Sequence, residues 1–110
     1  MATHKVRRYD IFLADLNPTL GAEISKTRPV IIVSRNELNL HLQTTTVCPL
    51  TTQLHPRWQG RLQIVCAGRP AEIAVDQIRT IDKKRLRKRI DHLADNDAAQ
   101  LRRLIWETYC

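Results

Sequence analysis

The segment Pro29-Val30-Ile31-Ile32-Val33 restricts the possible folds of this chain more than any other. It is too short for an ordinary helix, four of its five residues are β-branched, and it carries no polar residue on either face. A strand covered on one face alternates apolar with polar residues; this one does not, so the pattern predicts a central strand buried on both sides. Pro29 donates no ladder hydrogen bond and is expected at the strand's start.

Shorter strand signals surround it. Residues 9–16 have strand composition, with Ile11 and Leu13 on one face, and stop at Asn17-Pro18, a turn signal. Residues 17–27 are polar, contain Gly21 and are expected to form a surface loop. Residues 44–50 are again β-branched, closed by Pro49 and the Thr51-Thr52 pair. A polar loop, residues 53–60, carries His55, Pro56, Arg57 and Trp58. Residues 61–65 alternate, the mark of a half-exposed strand. Gly68-Arg69-Pro70 reads as a turn, and residues 71–81 as a long strand bent near Asp76. Asp82 suits the N-cap of a helical turn reaching Leu86, and residues 87–93 read as a last strand. The clearest helix closes the chain: Asp95 or Asn96 caps it, and Ala98, Leu101, Leu104, Ile105 and Tyr109 recur at helical spacing.

The expected fold is therefore mainly β (α+β), a small and strongly bent β-barrel with a C-terminal α-helix. The 110 residues suit one domain, residues 1–110, which can form a core without disulfide or metal staples. No apolar run approaches the ~20 residues of a membrane span, and Met1-Ala2-Thr3-His4-Lys5 leads into charged and polar residues rather than a signal peptide. A cytoplasmic protein without membrane contact is expected. Cys48, Cys66 and Cys110 are odd in number and widely spaced, which points to reduced thiols rather than a disulfide or zinc site.

Eighteen Lys and Arg against 11 acidic residues give a formal charge of +7. That favours a polyanion, or an acidic protein that masks the same surface. There is no P-loop, no G-x-G-x-x-G, no H-E-x-x-H and no G-x-S-x-G. An enzyme built on this chain is expected to use neither metal nor cofactor. His4, His41, His55 and His92 are scattered and read as ordinary surface residues.

The candidate chemistry gathers at a loop–strand junction. Gly21-Ala22-Glu23 precedes Lys26-Thr27-Arg28-Pro29, so Arg28 projects from the start of a rigid element beside a loop. Pro49-Leu50-Thr51-Thr52-Gln53 places polar groups at a second strand end. Asp76-Gln77-Ile78-Arg79-Thr80-Ile81 sets a carboxylate and an amide in apolar surroundings. In this order, G-x-E-x-x-x-x-R-P-V-x-x-V, P-L-T-T-Q and D-Q-I-R-T-I-D resemble the MazF/PemK toxins. The opening Asp10-Ile11 followed by Asp15-Leu16-Asn17-Pro18 does too. The likeness runs in register from about residue 8 to the terminal helix. One departure stands out: the family usually has Gly before the Asp-Ile pair, and here it is Tyr9.

The resemblance implies an SH3-like barrel, a homodimer, and cleavage of single-stranded RNA at short sequences. The substrate's own 2′-OH attacks, leaving a 2′,3′-cyclic phosphate and a 5′-OH. The family's catalytic Arg and Ser/Thr map onto Arg28 and Thr51. A guanidinium suits the charge of a pentacoordinate phosphorane and, with a pKa above about 12, suits proton abstraction poorly. Glu23, Lys26, Thr27, Thr52, Gln53, His55, Arg57, Asp76 and Gln77 are the expected RNA-binding set, with His55 also in reach of a supporting proton-transfer role. The family also implies an acidic antitoxin (MazE/PemI-like) as partner.

Other motifs leave alternatives open. Six of the seven residues from Lys83 to Arg89 are basic, either a solvated face or a track for RNA phosphates or an acidic antitoxin segment. Trp58 suits either a stacked base or a partly buried anchor. Trp106 is expected to pack at the helix or a dimer contact. A CcdB-like gyrase poison on the same barrel, or a non-catalytic nucleic-acid-binding barrel, are the competing readings.

Overall fold

Val30, Ile31 and Ile32 are completely buried and Val33 nearly so, the two-sided cover that their unbroken β-branched run predicts. The computed structural model describes residues 5–110; His4 and the residues before it lie outside this range. Along the chain run β1 (Asp10–Asp15), β2 (Thr27–Ile32), α1 (Asn36–His41), β3 (Thr44–Thr51), β4 (Arg61–Cys66) and β5 (Arg69–Ala74). After a 3-10 turn (Val75–Gln77) come β6 (Arg79–Asp82), a second 3-10 turn (Lys83–Arg85), β7 (Leu86–His92) and α2 (Asp95–Tyr109).

All strand pairs are antiparallel, in the order β4-β5-β3-β2-β1-β7, with β6 also on β3. The sheet curls into the expected bent barrel. Its outer members meet where the Ala67 N–H, in the β4–β5 turn, donates to Asp91 Oδ2 of β7 at 2.8 Å. Because β2 alternates between two buried faces, it divides the interior. Ile31 and Val33 join Ile11, Cys48, Leu50, Ile73 and Leu101 in one core, closed by α2 through Ala98, Leu101, Leu104 and Ile105. Val30 and Ile32 join Phe12, Leu16, Val47, Ile81 and Leu86 in the other. No helix among the described residues is long and apolar enough to cross a membrane.

β3 is the hinge of the architecture. Val47, Cys48 and Pro49 pair with β2. On its other side β3 pairs with β6 from Thr44 to Val47 and with β5 at Leu50 and Thr51. Pro49 falls in the gap between those two partners, where no ladder donor is required. It therefore sits inside the strand rather than closing it as the sequence suggested. Pro29 is likewise the third residue of β2, not the first: it pairs with Leu13 of β1, and β2–β3 pairing starts only at Val30.

Other expectations are corrected locally. Residues 71–81 are two strands, because the bend at Asp76 is a full 3-10 turn. The β4–β5 turn is Ala67-Gly68, with Arg69 and Pro70 already paired to Cys66 and Val65. Ala94, not Asp95 or Asn96, is the N-cap of α2, without a side-chain cap; Asp95 and Asp97 favour its first turn through the helix dipole instead. Asp82 caps its turn as expected, accepting from the Lys84 N–H. α1 had no sequence signal: Leu38, Leu40 and Leu42 alternate and all stay largely exposed, while the buried residue is Asn39, bonded to Ser34 and Thr45. Trp106 is 68% exposed, so the chain itself does not cover it.

Tyr9, the residue that replaces the resembled family's Gly, has φ 74°. A left-handed backbone costs a non-glycine residue about 1–2 kcal/mol, which accounts for a Gly preference there. Here the ring packs on the first core, and its hydroxyl accepts a hydrogen bond from Arg102 at 3.1 Å.

Candidate active site

Arg28 near the start of β2 and Thr51 at the end of β3 lie at the same end of two paired strands. The β2–β3 ladder matches Ile32 with Val47, Ile31 with Cys48 and Val30 with Pro49. The ladder ends at Val30–Pro49; extending its register by two residues would align Arg28 with Thr51, while the opposite edge of β3 pairs with β5 at Leu50 and Thr51. Alternation puts both side chains on the same face as Val30 and Pro49. Arg28 is half-buried, and its Nε donates to the Ser25 carbonyl at 3.0 Å. Its two terminal amino groups have no partner among the described residues, so the guanidinium is oriented but not neutralised. Thr51 is nearly buried; its Oγ1 accepts from the Gln53 N–H at 3.1 Å, which turns the chain out of the strand.

The loop before β2 is fastened over this end of the barrel. Ile24 packs on the second core, and its N–H donates to Gln77 Oε1 at 2.7 Å. Lys26, at φ 68°, donates its N–H to Asn17 Oδ1. The carbonyls of Asp15, Leu16 and Asn17 accept from Arg85 and Arg79. Between loop and sheet lies a cleft of about 230 Å³, lined by Glu23, Ile24, Pro49, Asp76, Gln77, Ile78 and Arg79. Of the expected set, Glu23, Asp76 and Gln77 thus converge. Lys26, Thr27, Thr52, Gln53 and Arg57 are exposed on the flanking segments and do not line the cleft. Gln77 spends its carbonyl on the loop and Asp76 accepts from Arg61, so both have a structural task.

The strongest electrostatic feature had no reading in the sequence. Glu72 is completely buried directly opposite Thr51. Its oxygens accept from the His55 N–H at 2.5 Å, Gln63 Nε2 at 2.5 Å and Arg61 Nη1 at 2.7 Å. Burial pushes this carboxyl up, but those three donors together outweigh it and hold its pKa below the ordinary 4.5. Arg61 is only 6% exposed; burial lowers its pKa, and Asp76 and Glu72 more than restore it. Gly60, at φ 75°, lies against this group: a Cβ there would meet Asp76 Cβ at 3.1 Å. The clue available was the cross-strand set Arg61, Gln63 and Glu72 on facing strands.

Two further expectations change. Most of the basic run is engaged: Lys83 donates to the Asn39 carbonyl, Arg85 holds Asp15 and Asn17, Arg87 pairs with Asp15, and Arg89 with Asp10. Arg87 and Arg89 remain largely exposed despite these pairs. His92 is no free surface residue either, lying 2.8 Å from the buried Asp10 carboxylate. Burial, aided by the charge of Asp76, pushes the Cys48 thiol to about 12, so it stays a neutral core residue. Among the described residues no group of three or more His, Cys, Asp or Glu is arranged to hold a metal ion.

A depressed carboxyl stabilises the fold fully above its unfolded pKa and loses that contribution as pH falls through the folded value. The stability gap between the wild type and Glu72→Gln is therefore expected to be constant near neutrality and to shrink below about pH 4.5. Glu72→Ala at pH 7 is expected to cost about 3 kcal/mol, the low end for breaking a buried pair, because Asp76 still faces Arg61. Urea unfolding from pH 3 to 8 reads both. A gap independent of pH would contradict the assigned charge state.

A sequence model of the family described as "PemK-like, MazF-like toxin of type II toxin-antitoxin system" matches residues 7–108. Endoribonuclease EndoA of Bacillus subtilis (strain 168) is 35% identical over 95 residues, covering 82% of each chain. MazF of Deinococcus radiodurans has the same fold, with a TM-score of 0.83 at 16% identity over 96% of both chains. So does an endoribonuclease from Mycobacterial species, solved in complex with its cognate antitoxin. Its TM-score is 0.78 at 17% identity, over 93% of this chain and 92% of that one. The family match spans both strands of the Arg28–Thr51 junction, the cleft and the terminal helix, and the chain belongs to the PemK-like, MazF-like toxins of type II toxin–antitoxin systems.

Proposed function

We propose that this toxin is an endoribonuclease that cuts single-stranded RNA, messenger RNA above all, at the Arg28–Thr51 junction. The observation that carries the reading is an oriented, unneutralised guanidinium at the same end of the β2–β3 pair as the Thr51 hydroxyl. The 35% identity to an endoribonuclease supports it.

In the proposed reaction the 2′-oxygen attacks the adjacent phosphorus, the bond to the 5′-oxygen breaks, and the products carry a 2′,3′-cyclic phosphate and a 5′-OH. A proton leaves the 2′-OH as another reaches the 5′-oxygen. Arg28 holds the non-bridging oxygens, on which negative charge accumulates in the transition state; its always-charged planar fork fits that task. Thr51 orients the 2′-OH or the scissile phosphate. Neither step needs a metal or cofactor. Glu23, Asp76 and Gln77 border the cleft that Pro49 lines and that Arg28 and Thr51 do not, and Gln77 Nε2 there has no partner among the described residues and offers a donor to a base edge. Cutting messages in this way would arrest translation and growth, which assigns the toxin to the cytoplasm.

The chain is further proposed to act as a homodimer and to be restrained by an acidic antitoxin. An extended acidic segment suits a protein of charge +7 and would neutralise Arg28 directly. The mycobacterial relative was solved with its cognate antitoxin.

Incubating a long single-stranded RNA with the protein in excess EDTA is expected to give discrete cuts with cyclic-phosphate and 5′-OH ends. Arg28→Ala is expected to lower kcat by about 10²–10³-fold, the scale of losing one preorganised charge-stabilising donor, and Arg28→Lys not to restore it. Cutting that survives Arg28→Ala would relocate the site, and intact RNA with folded wild type would remove the enzyme reading. For the antitoxin, excess uncleavable single-stranded RNA is expected to displace the acidic segment in a competition titration. Simultaneous full-affinity binding of both would contradict shared occupancy.

A further inference from the structure

We propose that His55 and Trp58 form a stacking platform for one unpaired nucleobase of the RNA beside the cleaved bond. The proposal rests on the endoribonuclease reading and adds a base subsite to it.

The two rings lie 3.7 Å apart between centroids and 7° from parallel, a full stack within a four-residue turn. The turn is closed by the Trp58 N–H, which donates to the His55 carbonyl at 2.9 Å. His55 is fixed in turn through its own N–H on the buried Glu72. The Arg61 guanidinium, held by Glu72 and Asp76, sits 4.9 Å from the Trp58 ring centroid. Despite this immobilisation Trp58 is 54% exposed. Both tryptophans of the chain are largely exposed, and Trp58 is the one clamped by neighbours in a polar loop.

Stacking accounts for these features together. Every base has a π-face, and an aromatic surface already fixed in place loses little entropy on receiving one. The guanidinium over the Trp58 ring adds a positive field suited to an RNA strand, and a base joins the stack on whichever ring face His55 and Arg61 leave open. Position completes the case: His55 follows Thr51 by four residues, and its anchor Glu72 pairs directly with Thr51 across β3 and β5. The ring pair thus stands on the loop that leaves the Thr51 strand end, on the path of an RNA strand bound there. A purely structural Trp58, serving to cover the Arg61–Glu72 pair, would affect stability but not the response to one particular base.

The test uses Trp106→Phe protein, in which Trp58 is the sole tryptophan. Its probe is an RNA oligonucleotide spanning the mapped cut, with hydrogen in place of the 2′-hydroxyl at the cut nucleotide. Binding is expected to quench Trp58 emission. An abasic residue at one position near the cut is expected to abolish the quenching and weaken binding about 5- to 140-fold, the range of base–aromatic stacking. Trp58→Ala is expected to weaken the intact probe by a similar factor and the abasic probe no further, while Trp58→Phe retains most of the affinity. Tight binding without quenching, or equal losses for Trp58→Ala on intact and abasic probes, would overturn the platform. Wild type that cuts RNA with either result leaves the enzyme reading standing; folded wild type that cuts none removes both.

Discussion

The site depends on where the β2–β3 ladder ends. Its last pair is Val30–Pro49, so Arg28 and Thr51 lie just beyond it, free of each other's backbone. On the edge away from β2, β3 passes from β6 to β5 across Pro49, the residue that asks for no hydrogen bond at the step between two ladders. An arginine and a threonine from distant parts of the sequence thereby come to the same end of two adjacent strands. Geometry of this kind comes from rigid elements rather than from the loops, and a charge-stabilising group must be aligned before the reaction begins.

A buried ion pair holds this end of β3 in place. Glu72 stands opposite Thr51 and collects donors from β4 and from the loop that leaves β3. Taking its charge out of water is costly, and three hydrogen bonds are what offset that cost. Slipping the loop by one residue would leave a buried carboxylate short of a donor. On the other side, Gln77 and the two arginines that grip residues 15–17 fix the first loop. The positive charge of the chain is thus partly consumed inside the fold, and the two terminal amino groups of Arg28 are among those left without a partner among the described residues.

Much of this was legible in the sequence, and the exceptions have physical causes. The β-branched run of β2, the alternation of β4 and the helical spacing of α2 each follow from local periodicity, and the bent barrel follows from short strands separated by turn signals. Arg28 and Thr51 stand out in the sequence because they sit at strand ends in a recognisable order, and Asp76-Gln77 because polar groups interrupt an apolar stretch. Glu72 is not singled out, since its partners Arg61 and Gln63 come into view only once β4 is paired with β5. α1 was missed because Leu38, Leu40 and Leu42 alternate, and its buried position is filled by Asn39. The basic run looked like a uniform patch because sequence does not record which cations find carbonyls and carboxylates.

The central claim is that Arg28 and Thr51 act on one phosphate as a unit, and a double-mutant cycle on kcat tests it most directly. If they share the transition state, Arg28→Ala combined with Thr51→Val is expected to slow cleavage little more than the worse single variant, as groups acting together are far from additive. Losses that multiply in full, with all variants folded, would mean that the two residues work independently and that the junction is not the catalytic centre.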